Sequence, residues 1–166
     1  IALTALAQTN PFDLFIALRA YAEQKNNTYK LISNAAIEPT YECPSKCKDC
    51  YVPAYLRKMD SMSENDLSRV VEQFKSNGIK TIGLCGGEPL SNETIQKVAN
   101  VAKKNPLTPF SIITNGRYLA EGLYPLEKLH NIAYFVSIDG FRETNDSFRG
   151  EGSYNGIIKA WDMLKA

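Results

Sequence analysis

The chain has 166 residues, 44% of them hydrophobic, which is the size of one domain with enough apolar material for a substantial core and excludes a disordered chain. Lys and Arg total 19 against 18 Asp and Glu, for a formal net charge of +1. No strong field therefore favours non-specific binding to nucleic acid or a membrane surface, although a specific RNA or protein substrate stays open. No apolar run approaches the ~20 residues that span a bilayer, and the opening residues lack a basic leader.

The chain opens on Ile1 rather than Met, as a trimmed piece of a longer protein would. Residues 11–24 carry Phe12, Phe15, Ile16, Leu18 and Tyr21 among Asp13, Arg19 and Glu23, a spacing that predicts an amphipathic helix within an N-terminal extension of residues 1–28. Asn26 and Asn27 break it. Residues 29–37 are strand-like, and the chain is expected to turn at Glu38-Pro39, because proline disfavours helix in the residue before it. Ser63-Glu-Asn-Asp66 opens a helix in the manner of a capping box; Leu67, Val70, Val71 and Phe74 follow at helical spacing until Asn77-Gly78.

A short β-rich run, residues 80–84, leads to Cys85-Gly86-Gly87-Glu88-Pro89. Ser91 is expected to cap a helix reaching residue 104, with Ile95, Val98, Ala99 and Ala102 inward. Residues 110–113 predict a third strand that ends in Thr114-Asn115-Gly116. A weaker helix over 119–129 precedes a fourth strand, 132–138, which ends in Asp139-Gly140. Residues 154–164 predict a last helix with Ile157, Ile158, Trp161 and Leu164 on one face. Strands alternating with helices across short loops imply β-α crossovers and a parallel sheet. Ligands of such sheets gather at the carboxyl ends of the strands, and each polar motif here follows a strand directly.

The chemistry concentrates in Cys43-Pro-Ser-Lys-Cys47-Lys-Asp-Cys50. Three thiolates this close on one loop suit a soft metal: zinc, copper(I) or an iron–sulfur cluster. A structural zinc site closes its tetrahedron with four protein ligands, whereas three leave a position open for something that is not protein. Cys85 and the lone His130 could complete a zinc site, but a buried strand-end cysteine and a surface or cap histidine are the plainer expectations. Four cysteines with three in one loop do not resemble a disulfide framework, and thiolate clusters persist best in a reducing compartment, which points to the cytoplasm.

The C-x3-C-x2-C spacing followed by Gly86-Gly87-Glu88-Pro89 resembles the radical S-adenosylmethionine (SAM) enzymes, from about Leu31 to the end of the chain. That resemblance implies an α/β fold, a partial parallel (β/α) barrel with about four β-α units of a (β/α)6 core over residues 29–166. It also implies a [4Fe–4S] cluster on Cys43, Cys47 and Cys50, whose fourth iron is chelated by the amino and carboxylate groups of SAM. Reductive cleavage of SAM would then start hydrogen-atom abstraction from an organic substrate. Gly86 and Gly87 would let backbone approach the methionine moiety, followed by Glu88 and Pro89, with the carboxylate accepting from its ammonium. A side chain at Gly87 is accordingly expected to weaken SAM binding and to spare the cluster.

Asn115, Ser137 and Asp139 occupy strand ends that serve the SAM carboxylate or ribose in the family, and Arg149 suits a carboxylate clamp. Turn formation alone would also select Asn-Gly and Asp-Gly. The aromatic residue usual before the third cysteine is replaced by Asp49, and Tyr51, one place later, stands in for it beside the adenine. Lys46 and Lys48 could meet an acidic electron donor such as flavodoxin or ferredoxin. Similarity of Cys50-Tyr51 and of Ser137-Ile-Asp-Gly with Arg149-Gly-x-Gly-Ser-Tyr154 to peptide and protein maturases suggests a peptide or protein substrate. The competing class is a non-catalytic zinc or iron–sulfur module, or a truncated scaffold without turnover.

Overall fold

The computed structural model describes residues 33–53, 55–56, 61–92, 94–121 and 129–165. The expected helix over 11–24 and the first part of the first strand lie outside them. Within the compact unit Asn34–Ala166 the elements are β1 (Asn34–Thr40), α1 (Glu64–Ser76), β2 (Thr81–Gly86), α2 (Ile95–Lys104), β3 (Phe110–Thr114), α3 (Arg117–Ala120), β4 (Ile132–Val136), α4 (Arg142–Arg149) and α5 (Ser153–Lys165). All neighbouring strand pairs are parallel and the sheet order is β1-β2-β3-β4. Each crossover returns to the adjacent position on the same side of its predecessor, the winding of a barrel wall rather than of a doubly wound sheet.

Alternation along the strands separates two faces. Ile37, Ile82, Leu84, Phe110 and Ile112 are buried on one. Leu67 and Val71 of α1, and Val98, Ala99, Val101 and Ala102 of α2, are buried with them to form the core. The other face carries Ala36, Gly83, Ser111 and Ala133, which share one row of the register from β1 to β4. A row higher, Ile113 pairs with Phe135, and these remain 50% and 58% exposed. At the amino end of α1, Ser63 accepts from the Asp66 N–H at 3.1 Å, as the capping pattern predicts. No helix among the described residues is long and apolar enough to cross a membrane.

Four local expectations change. β1 does not turn at Glu38-Pro39 but runs to Thr40. Ile37 pairs with Leu84 and Thr40 with Gly86, leaving one extra residue on the β1 side. That bulge spares Pro39 the ladder bond it cannot donate, and its carbonyl accepts from the Met62 N–H at 2.8 Å. Next, α2 begins at Ile95 with Thr94 at its N-cap, while the Ser91 carbonyl accepts from the N–H groups of Thr94 and Ile95 in a preceding turn. Third, α4 fills a stretch to which the sequence assigns no element. Finally, Ile157 and Ala160 carry the burial of α5, whereas Ile158, Trp161 and Leu164 are 41%, 55% and 39% exposed.

Candidate metal and cofactor site

The thiol loop, residues 41–50, leaves β1 and is tied to the carboxyl ends of β2 and β3 and to α4. Its entrance continues the parallel pairing beyond the sheet: the Gly87 N–H donates to Thr40 O at 2.8 Å and the Glu88 N–H to Glu42 O at 2.7 Å. Thr40 is buried, and its hydroxyl accepts from the Glu42 N–H at 3.0 Å and the Ser61 hydroxyl at 2.9 Å. This approach is the immediate use of the two glycines. A Cβ on Gly86, whose φ is +107°, would stand 2.6 Å from Thr40 O; one on Gly87 would overlap Glu42 O and lie 2.5 Å from the Tyr41 carbonyl carbon. The close neighbour of Gly87 is therefore the backbone of the thiol loop itself.

Glu88 is buried to 1% exposure, with its carboxylate turned into the protein. Oε1 accepts from the Thr114 hydroxyl at 2.7 Å and the Leu90 N–H at 3.1 Å, and Oε2 from the Asn115 N–H at 2.8 Å. Burial pushes this carboxyl above its ordinary value, against the bonds from Asn115, Thr114 and Leu90, which pull it down. Glu88 thus ties the end of β2 to the end of β3, in place of the outward-facing acceptor expected from sequence. Pro89 is buried in the turn that follows.

Asn115, fixed by that carboxylate, reaches back to the loop. Its Nδ2 donates to Ser45 Oγ at 3.2 Å and lies 3.8 Å from Cys43 Sγ, while its Oδ1 accepts from the Arg117 N–H at 2.9 Å. Farther along the loop, the Lys48 N–H donates to Phe148 O of α4 at 2.9 Å, and the Lys48 ammonium lies 5.7 Å from the centre of the Phe148 ring. At the exit, the Tyr51 hydroxyl lies 2.9 Å from Glu38 Oε1 and 3.0 Å from Gly86 O. Burial and the Glu38 bond push that phenol well above its usual value, so it remains a donor near neutrality. The Tyr41 hydroxyl faces the same carboxylate and is also raised, chiefly by the Glu38 hydrogen bond.

Cys43, Cys47 and Cys50 are all half-buried free thiols. Burial pushes the Cys43 thiol up, opposed by its hydrogen bonds with Ser45. Among the described residues, no three His, Cys, Asp or Glu side chains are grouped closely enough to hold a metal ion. The chemistry of the donor set nonetheless fits a cluster: three soft thiols on one anchored loop, with an amide donor beside the first. Cys85 is a half-buried residue of β2 whose thiol is raised by burial and by the Glu38 charge, and His130 is exposed in the turn before β4.

The remaining predicted residues gather after β4. The Ser137 N–H donates to Thr114 O at 2.9 Å. Asp139 Oδ2 accepts from Arg149 Nε at 2.5 Å, so this guanidinium is engaged by a carboxylate of its own chain. The Asp139 N–H donates to Oδ1 of the fully buried Asn145, whose Nδ2 donates to Ser153 Oγ at 2.8 Å. Glu38, Thr40, Thr114 and Asn145 were missed as parts of this arrangement. Only Glu38 carried a sequence signal, as a charged residue two places after Ala36 on the face opposite Ile37.

A parallel sheet wound in barrel order, with a three-cysteine loop tied across its carboxyl edge, is the architecture of one enzyme class, and sequence comparison agrees. The pattern of the Radical SAM superfamily matches residues 37–166, and the chain belongs to that superfamily. Among curated relatives, the subtilosin biosynthesis protein AlbA of Bacillus subtilis is 27% identical over 84% of this chain and 32% of its own length. GTP 3',8-cyclase of Clostridium acetobutylicum is 29% identical over 77% of this chain and 41% of its own. The chain thus spans about a third to two fifths of the length of these curated relatives. Among solved structures, SuiB of Streptococcus suis bound to S-adenosylmethionine shares the fold, with a TM-score of 0.69 and 21% identity over 94% of this chain and 37% of SuiB. SuiB has also been solved with its precursor peptide SuiA. Membership of the superfamily implies a [4Fe–4S] cluster and SAM.

Proposed function

We propose that Cys43, Cys47 and Cys50 hold a [4Fe–4S] cluster, that SAM binds beside it, and that the protein uses the pair to abstract a hydrogen atom from a peptide or protein. The carrying observation is the anchoring of the thiol loop by residues at the ends of β1, β2 and β3 and by α4. A cluster held there by the three cysteines would supply the electron for reductive cleavage of SAM. The protein's own residues position the reactants. Gly86 and Gly87 let the loop lie against the β2 end, and Glu88 orients the Asn115 turn that faces Cys43. Ser137 and Asp139 follow β4, where the Ser137 hydroxyl and the Asp139 carboxylate, steadied by Arg149, suit the hydroxyls of SAM. Tyr51 offers an exposed ring beside Cys50.

AlbA and SuiB support the peptide reading, while the GTP cyclases keep a nucleotide as its competitor. Exposed Lys46 and Lys48, on the thiol loop, suit the acidic face of a flavodoxin or ferredoxin in the cytoplasm.

The test is anaerobic reconstitution with iron and sulfide, reduction, and electron paramagnetic resonance with and without SAM. A [4Fe–4S] signal that changes on adding SAM is expected, and Cys47→Ala should take up no cluster. Binding of zinc alone, a signal indifferent to SAM, or a full iron and sulfide load in Cys47→Ala overturns the reading.

A further inference from the structure

Glu38 lies on the open face of the sheet, where the charge of its carboxylate acts on Cys85 of β2. Its Cβ is 3.0 Å from where a Cβ on Gly86 would stand, so any side chain at 86 would displace it. One phenol of the thiol loop reaches this carboxylate. Tyr51, immediately after the third cysteine, places its hydroxyl 2.9 Å from Oε1. The same Tyr51 hydroxyl lies 3.0 Å from Gly86 O, so the exit of the loop meets both β1 and β2. Val52, next along, is buried in the core, whereas the 66% exposure of Tyr51 means that its hydroxyl, not ring burial, anchors it.

We propose that Glu38 and Tyr51 are positioning residues: the Glu38 carboxylate holds the Tyr51 hydroxyl, which latches Cys50 against the sheet so that the third ligand is held in register with the other two. The proposal rests on the cluster reading above. It assigns Tyr51 a task through its hydroxyl, distinct from stacking through its ring, and gives Glu38 a role that no motif of the sequence suggests. A carboxylate is suited to this because it is an acceptor only, so the phenol must be the donor.

The experiment uses the reconstituted 166-residue chain and reads the rate of iron loss to a chelator, the paramagnetic resonance spectrum, and the thermal midpoint of the metal-free protein. Tyr51→Phe keeps the ring and removes the latch; iron loss is expected to quicken about fivefold, the equivalent of one ordinary hydrogen bond, with an altered spectrum and an unchanged metal-free midpoint. Glu38→Ala should do the same, and Glu38→Gln, which keeps an acceptor oxygen, should restore the wild-type rate. The double variant Glu38→Ala with Tyr51→Phe should be damaged less than the sum of the two singles, because they share the Tyr51–Glu38 bond. Tyr55→Phe, at a tyrosine 74% exposed, is the control and should behave as wild type.

Wild-type iron loss in Tyr51→Phe, a Glu38→Gln variant as damaged as Glu38→Ala, or strictly additive effects would each overturn the latch while leaving the cluster reading intact. A wild-type chain that never assembles a cluster overturns both.

Discussion

Gly87 shows how much one missing side chain decides. The glycine pair of this motif was expected to leave room for a ligand, yet the atoms that a Cβ at 87 would strike belong to Tyr41 and Glu42. Gly87→Ala should therefore push the loop entrance away and strain the two hydrogen bonds that follow it. The expected cost is about 1–3 kcal/mol, as for other overpacked sites. Urea unfolding together with iron content per chain measures it: both should fall. A variant of wild-type stability that loads iron fully but binds SAM weakly would restore the simpler view of the glycines. Glu88 teaches the same lesson. Its type and place were legible, but the sequence offered no sign that Thr114, Asn115 and Leu90 would use its acceptors from within.

Elements were legible where apolar periodicity drives them. Leu67 and Val71 fixed α1, and Val98, Ala99 and Ala102 fixed α2, because burial and helical spacing coincide there. The helix α4 escaped for the opposite reason: Arg-Glu-Thr-Asn-Asp-Ser-Phe-Arg offers one apolar residue and no stripe. Polar contacts hold it instead. Asn145 is buried at its centre, and Asp146 accepts from the N–H groups of Gly152 and Tyr154 and from the Ser153 hydroxyl, at 2.8 to 3.1 Å, to cap α5. The Tyr154 bond leads the causes that hold the Asp146 carboxyl below its ordinary value.

A carboxyl lowered in the folded state contributes stability that is present above its unfolded value, ~3.9, and is lost as pH falls through the lower folded one. The start of α5 should therefore loosen in acid. Hydrogen exchange at the amides of Gly152 and Tyr154 should quicken as pH drops through that window, beyond the intrinsic trend. Asp146→Asn should abolish the extra pH dependence and lower protection at neutral pH. Protection indifferent to both changes would remove Asp146 as the cap.

At the scale of the whole molecule, the four strands form a wall with one face covered and the other open. Ile113 and Phe135 stand half or more exposed on the open face, Ile138 is 52% exposed beyond β4, and among the described residues β4 pairs only with β3. Unpaired strand edges beside exposed apolar side chains invite pairing with another chain. Sedimentation of the 166-residue protein should show concentration-dependent self-association, and Phe135→Lys should shift it towards monomer. A wild-type monomer that binds no hydrophobic dye would contradict this. The fold class and the strand-end motifs were readable because crossovers repeat a simple pattern. The Pro39 bulge was not, since it depends on a partner strand some forty-five residues later, Leu84 to Gly86.

That distance matters when the chain is made. Tyr51 bonds to a residue 35 positions on, and Asn115 reaches Ser45 and Cys43 across 70 and 72. At roughly 5–20 residues per second, the thiols leave the ribosome roughly 4–14 s before the asparagine that meets them. For that interval they are ordinary reactive groups on an unfinished chain, open to stray metal or oxidant. Assembly of the site is therefore a late event, timed by the arrival of β3 rather than by the appearance of the cysteines.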